Sequence, residues 1–169
     1  MRRSVGQRRF AERRNRISAS RPLAREQDED GWPPITRENL WAVDLGEGRY
    51  RIDNIPFYVL GISDGDLVAA VTEEDGRLVF SELVEASSNS TFRLIVSDQE
   101  KTSEVRTMFR DRGCPSELVS HGLISLHIPE SVAMRPIAAL IEQGEKDGRW
   151  GFEEGALRHP DSGFSYLPQ

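Results

Sequence analysis

The chain has 169 residues, a hydrophobic fraction of 37%, a charged fraction of 30% and a formal charge of −6. That length suits one ordinary domain or two small ones sharing an interface, and no apolar run approaches the roughly 20 residues a membrane helix needs. A single cysteine, Cys114, excludes an intramolecular disulfide and fits a reducing compartment. No secretory signal core precedes the acidic body, so a soluble, cytoplasmic protein is predicted.

Charge is divided unevenly along the chain. Arg2, Arg3, Arg8, Arg9, Arg13, Arg14, Arg16, Arg21 and Arg25 lie in the first 25 positions with Glu12 as the only acid, which leaves a charge of −14 on the rest. So acidic a body repels phosphate backbones, and nucleic-acid binding by the core is disfavoured. The arginine-rich head fits a phosphate-binding arm, a transit peptide or a disordered leader. It has no apolar periodicity, so residues 1–37 are read as a disordered leader outside the fold.

Order is expected to begin near Glu38. Trp41, Val43 and Leu45 alternate as in a strand with a buried face, and Gly46-Glu47-Gly48 turns the chain into Tyr50 and Ile52. Asn54 and Pro56 bend the path, after which Phe57 to Ile62 reads as a further strand. Gly65-Asp66 leads into Leu67–Val71, and Glu74-Asp75-Gly76 is a hairpin turn into the strand from Leu78 to Val84. This density predicts a small, strongly bent sheet or partly closed barrel over residues 38–86.

Ser87-Ser88-Asn89-Ser90 is a polar connector, and the pattern then changes. Thr91–Val96 is a strand with Phe92, Leu94 and Val96 on one face. Ser97 and Glu100 match a capping box; Val105, Met108 and Phe109 supply a helical stripe that Gly113 ends. Glu117–Ser120 and Leu123–Ile128 form a hairpin across His121-Gly122. A second helix has Pro136 near its start and buries Ile137, Leu140 and Ile141, and Trp150 and Phe152 mark a last strand. The order β-α-β-β-α-β predicts a ferredoxin-like module over residues 91–158, with an irregular tail at 159–169. The fold class is therefore α+β.

In that module Thr91, Arg93, Ile95, Leu123, Ser125 and His127 make up the face turned away from the helices. They offer no aromatic for base stacking, which argues against RNA recognition. The face is expected to pack on the first module or on a partner protein.

Few residues carry chemistry in a recognisable pattern. His121, His127 and His159 are too sparse for a structural or catalytic zinc and are expected to face solvent or make single hydrogen bonds. Cys114, between Gly113 and Pro115, is read as a small, partly buried residue at a helix–strand junction. Asp53, Asp64 and Asp66 can pair for acid–base chemistry, but each sits in a turn where an Asp side chain bonds local backbone. Glu153 and Glu154 point to opposite faces, so at most one enters a shared site. Phosphate-binding loops, nucleophile elbows and zinc-protease helices are all missing from the sequence, and no metal or cofactor is expected.

The combination Trp41-Ala42-Val43-Asp44-Leu45, Tyr50-Arg51-Ile52-Asp53-Asn54-Ile55-Pro56-Phe57, Gly61-Ile62-Ser63, Gly65-Asp66 and Ser90-Thr91 with Arg93 resembles a bacterial family of domains of unknown function. The likeness continues through Gly113-Cys114 to Trp150-Gly151-Phe152-Glu153-Glu154-Gly155, about residues 38–157. It implies a bacterial cytosolic protein and assigns no catalytic residue.

The sequence thus favours a non-enzymatic protein-binding or regulatory module, of inhibitor or immunity type, that meets another protein through its acidic surface. The alternative is a small-molecule-binding or hydrolytic domain using a cleft between the modules, with Asp53, Tyr58, Arg93, His121 and His127 as candidates, foremost Asp53, Arg93 and His127. Nucleic-acid binding confined to the arginine head is a third expectation.

Overall fold

The computed structural model describes residues 14–20, 37–120 and 122–160. Strands β1 (Arg14–Ser20), β2 (Arg37–Gly46), β3 (Arg49–Ile52), β4 (Leu67–Thr72) and β5 (Leu78–Glu85) form a closed barrel. Neighbours are antiparallel except at the seam, where β1 runs parallel to β5 through Ile17↔Leu78 and Ser18↔Val79. Ile17, Leu40, Ala42, Tyr50, Ile52, Val68 and Ala70 fill the interior, with Val59 and Ile62 from the loop after β3.

Two expectations for this module need correction. The first concerns β1, which lies inside the segment read as a disordered leader. Its sequence RNRISAS has little apolar content. Ile17 and Ala19 nevertheless alternate and are both 0% exposed, with Arg14 and Arg16 on the outside. A ladder on each side stabilises a strand with so sparse an apolar face. Residues 1–13 and 21–36 of the leader lie outside the described residues.

The second concerns Phe57–Ile62, which is an irregular loop and not a strand. Pro56 has no N–H to give to a ladder. The next three amides donate to one carboxylate, that of Glu38 on β2: Phe57 to Oε1 at 2.7 Å, Tyr58 and Val59 to Oε2 at 2.8 and 2.9 Å. Their hydrogen bonds are therefore made to a side chain, and the apolar run packs Val59 and Ile62, three residues apart, into the barrel without a strand partner.

Beyond the connector, β6 (Ser90–Val96), β7 (Ser116–Ser120), β8 (Leu123–Ile128) and β9 (Trp150–Ala156) form an antiparallel sheet in the order β7-β8-β6-β9. Helix α1 (Thr102–Arg110) joins β6 to β7, and α2 (Met134–Lys146) joins β8 to β9. Both helices pack on one face: Val105 and Phe109 of α1 and Ile137, Ala138 and Ile141 of α2 meet Phe92, Leu94, Ile124, Leu126 and Ile128. Leu140 packs at the margin of this core. Gly144 lets α2 lie directly on the Trp150 ring, since a Cβ there would sit 1.9 Å from a ring carbon.

The expected capping box is absent. Asp98, one residue after Ser97, caps a 3-10 turn over Gln99–Lys101 by accepting from the Glu100 amide at 3.1 Å, and α1 continues from that turn. Asp is at least as good a cap as Ser, and the tighter turn shifts the helix start to Thr102.

Candidate functional site

The β6–β8 register places Thr91 opposite His127 and Arg93 opposite Ser125, all on the helix-free face of the sheet. All four side chains are buried, because the barrel loop 53–66 lies across them. Ser125 Oγ donates to the Pro56 carbonyl at 2.6 Å, Arg93 Nη2 donates to the Val59 carbonyl at 2.7 Å, and the Ser63 and Thr91 hydroxyls meet at 2.8 Å. The face expected to meet the first module or a partner is thus covered by the first module along most of β6. Ile95, at its far end, is 51% exposed.

The junction holds a His–Asp pair. His127 Nε2 lies 3.9 Å from Asp64 Oδ2, and His127 Nδ1 is buried with no partner among the described residues. Burial holds the His127 imidazole below its ordinary range; the Asp64 charge opposes this and nearby His159 adds to it. Burial likewise raises the Asp64 carboxyl, which His127 partly offsets and Asp53 reinforces.

These opposite directions give a stability profile with a definite sign. A folded His127 with a depressed pKa binds protons less readily than the unfolded chain, so its contribution is intact above about pH 6.5 and is lost as pH falls through the folded value. Asp64, raised in the fold, works the other way: its contribution is intact below about pH 4 and is lost as pH rises through its folded pKa. The thermal midpoint is therefore expected to fall on going from about pH 7 to about pH 5.5, and His127→Gln to flatten that slope. A slope of the same steepness in the variant would place the acid lability elsewhere.

A second polar cluster ties the connector to the loop and the C-terminal segment. The fully buried Asp66 carboxylate accepts from the Ser63 and Ser87 amides at 2.8 and 2.7 Å, with Arg158 Nη2 at 3.5 Å. Ser87 Oγ and Asn89 Nδ2 donate to the Asp64 carbonyl at 3.0 and 2.9 Å. His159 Nδ1 lies 2.7 Å from Ser90 Oγ, and its Nε2 is 3.2 Å from the Pro129 carbonyl. Asp66 thus has the turn role expected of it, and also fastens the connector. His127 and His159 are buried and not solvent-facing, because each lies where one module covers the other or the C-terminal segment folds back. His159 makes two hydrogen bonds where at most one is expected, while His127 has a single side-chain contact among the described residues, with Asp64. His121 lies outside the described residues.

Of the other candidates, Arg93 shares a face with His127 and pairs with Glu153 at 2.7 Å. It also lines a cavity of about 200 Å³ with Ile95, Leu123, Phe152 and Glu153. Asp53 sits at the barrel end, ion-paired to Arg14 of β1, and its charge helps to raise the Asp64 carboxyl. Tyr58 stands near both Glu38 and Arg93; burial, then the Glu38 charge, raise its phenol and Arg93 opposes them. Cys114 is fully buried and burial pushes its thiol up to about 11, so it stays protonated at neutral pH. Among the described residues no three His, Cys, Asp or Glu side chains converge as metal ligands, and no helix is long and apolar enough to cross a membrane.

Sequence reasoning passed over Glu38, although a signal was present. Glu38 shares its strand phase with Leu40 and Ala42, which are buried, whereas the face expected to be buried is mostly outward, Trp41 and Leu45 being 39% and 50% exposed. An acid thus stands on the inward face of β2 and must find donors there.

A family model for a domain of unknown function, DUF4265, matches residues 38–152. The chain belongs to the DUF4265 family. A crystal structure of a hypothetical protein from Neisseria gonorrhoeae is similar to it, with a TM-score of 0.69 and 18% identity over 86% of this chain and 96% of that one. At that identity the likeness is one of fold. No curated protein matches the chain. The DUF4265 match spans both sheets, so Glu38, Asp64, Arg93 and His127 all fall within the family's domain. The resemblance to a domain-of-unknown-function family, read from residues 38–157, therefore holds.

Proposed function

We propose that this DUF4265 protein is a cytoplasmic, bacterial, non-enzymatic binding or regulatory module that recognises a basic protein, in the manner of an inhibitor or immunity protein. One observation carries the reading: the β4–β5 hairpin is an exposed acidic projection. Glu73, Glu74 and Asp75 form its turn, and Glu82 and Glu85 follow on β5, all exposed. Arg77, the cation in that turn, is held by Asp75 at 2.6 Å and Glu73 at 3.2 Å. Val71 and Val84, 55% and 41% exposed, supply apolar surface on the same two strands. Acidic side chains around small apolar contacts suit steering onto a basic partner. The Neisseria neighbour supports a bacterial setting.

The order β7-β8-β6-β9, with helices after its first and third strands in chain order, supports a ferredoxin-like module over 91–158 beside a β module that extends beyond 38–86 to take in β1. Charge reversal tests the binding reading. Once a partner is captured from the native host at low salt, Glu73→Lys with Glu74→Lys should slow its association at least about tenfold. An unchanged rate would remove the hairpin from the interface.

The second reading, a small-molecule or hydrolytic domain using the junction, is favoured by the Asp64–His127 pair and the Arg93-lined cavity. It expects a ligand that protects the chain thermally, with protection lost in His127→Gln.

A further inference from the structure

We infer that the groove between α1 and β7 binds a phosphate-type anion. It has a volume of about 260 Å³ and is lined by Ser103, Arg106, Thr107, Arg110, Pro115 and Ser116. Ser103, Arg106, Thr107 and Arg110 are three or four residues apart on α1, which places them along one side of the helix. β7 closes the groove with Ser116.

Arg106 is already held in place. Its Nε donates to Ser116 Oγ at 3.1 Å and its Nη2 to the Ser116 carbonyl at 2.8 Å. Among the described residues it forms hydrogen bonds only with Ser116, so its Nη1 edge remains open. A guanidinium fixed in this way loses little freedom when an anion arrives. Ser116 Oγ accepts from Arg106 and so keeps its own proton for a ligand. Thr107 Oγ1 accepts from Arg110 Nη2 at 3.3 Å and is in the same position.

The groove therefore offers two guanidinium groups and three hydroxyls. Opposing charge comes from Asp111, 3.9 Å from Arg110 Nε, and from Glu117, whose carboxyl is raised by burial and lies in the field of Arg106. A tetrahedral anion has enough acceptor oxygens to engage both forks and the hydroxyls together; a halide has no such geometry. On a body whose charge is strongly negative, this concavity has the opposite sign to its surroundings. The inference is independent of the acidic hairpin, which uses other strands and the opposite charge.

The anion has two possible sources: free inorganic phosphate, or a phosphorylated side chain of another protein. The test is a titration of the full chain with inorganic phosphate, followed by amide NMR at Ser103, Thr107 and Ser116, with chloride at matched ionic strength as the control. Saturable shifts at these three amides are expected with phosphate and not with chloride. Arg110→Ala, at an exposed position, should weaken binding roughly tenfold, as loss of one charge-assisted hydrogen bond implies. Arg106→Lys should weaken it further, with the helical circular dichroism of both variants checked against the parent. A phosphoserine peptide that binds more tightly than inorganic phosphate would identify a modified protein as the source, and equal affinity would identify the free anion. Shifts of equal size with chloride, or undiminished phosphate affinity in Arg110→Ala, would overturn the inference.

Discussion

Replacing Glu38 with alanine is expected to lower the unfolding free energy by about 3–6 kcal/mol, from the loss of three hydrogen bonds to an ionised acceptor. The carboxylate is 7% exposed and accepts from three successive amides, those of Phe57, Tyr58 and Val59. Without it these donors have no ladder to join, because Pro56 starts a loop. Water can reach Phe57 and Tyr58, which are half-buried, more easily than Val59, which is 1% exposed. Glu38→Gln should recover only part of the loss, since its oxygen can still accept from Tyr58 and Val59 while its NH2 group cannot accept and would face the Phe57 N–H. Urea denaturation of the parent and both variants measures this. A loss below about 1 kcal/mol for Glu38→Ala would mean that the loop finds other acceptors.

Arg93→Met should cost about 3 kcal/mol. Removing one partner of a buried ion pair typically costs about 3–5 kcal/mol, and the lower end applies because Glu153 keeps 39% of its side-chain surface in water. Two groups lose their donor: the Glu153 carboxylate and the Val59 carbonyl. Arg93 itself is 2% exposed and its Nε has no partner among the described residues, so part of its burial cost is already uncompensated. Methionine fills similar volume without charge, which separates the polar loss from a cavity. Because the Val59 bond crosses from sheet to barrel, the variant should also unfold less cooperatively, seen as a lower denaturant slope or two transitions. A single sharp transition at the parent midpoint would show that Arg93 does not couple the modules.

Much of the second module was legible because its apolar periodicity is strong. Phe92, Leu94 and Val96, then Ile124, Leu126 and Ile128, alternate without interruption, and both helices carry stripes that match their buried faces. β1 was hidden for the opposite reason. Ile17 and Ala19 are its whole inward face, and Arg14 and Arg16 beside them look like part of a charged head. Phe57–Ile62 misled because a short apolar run is also what a loop shows when it drops Val59 and Ile62 into a core. Reading it correctly required knowing where the amides go, which depends on Glu38, some twenty positions earlier in the chain.

The junction was half legible. Strand phase alone placed Arg93 and His127 on one face, and the absence of outward aromatics pointed to packing. What covers that face follows from the tertiary fold: Pro56, Val59 and Ser63 arrive from a different sheet. The pairing of His127 with Asp64 had the same origin. Both residues were visible as ionisable groups, but the 3.9 Å between them is set by how the loop crosses β8.

The parallel seam of the barrel bears on how the chain is assembled and handled. β1 is synthesised before every other stave, yet Ile17 meets Leu78 only after the four later strands exist. Closing the barrel therefore requires a long-range encounter by a segment that offers one isoleucine and one alanine to hold it. Without β1, β2 and β5 would each present a bare edge to other molecules. Trimming the arginine-rich segment at residue 30 to obtain a tidier protein would leave both edges bare, and the shortened chain should associate edge to edge.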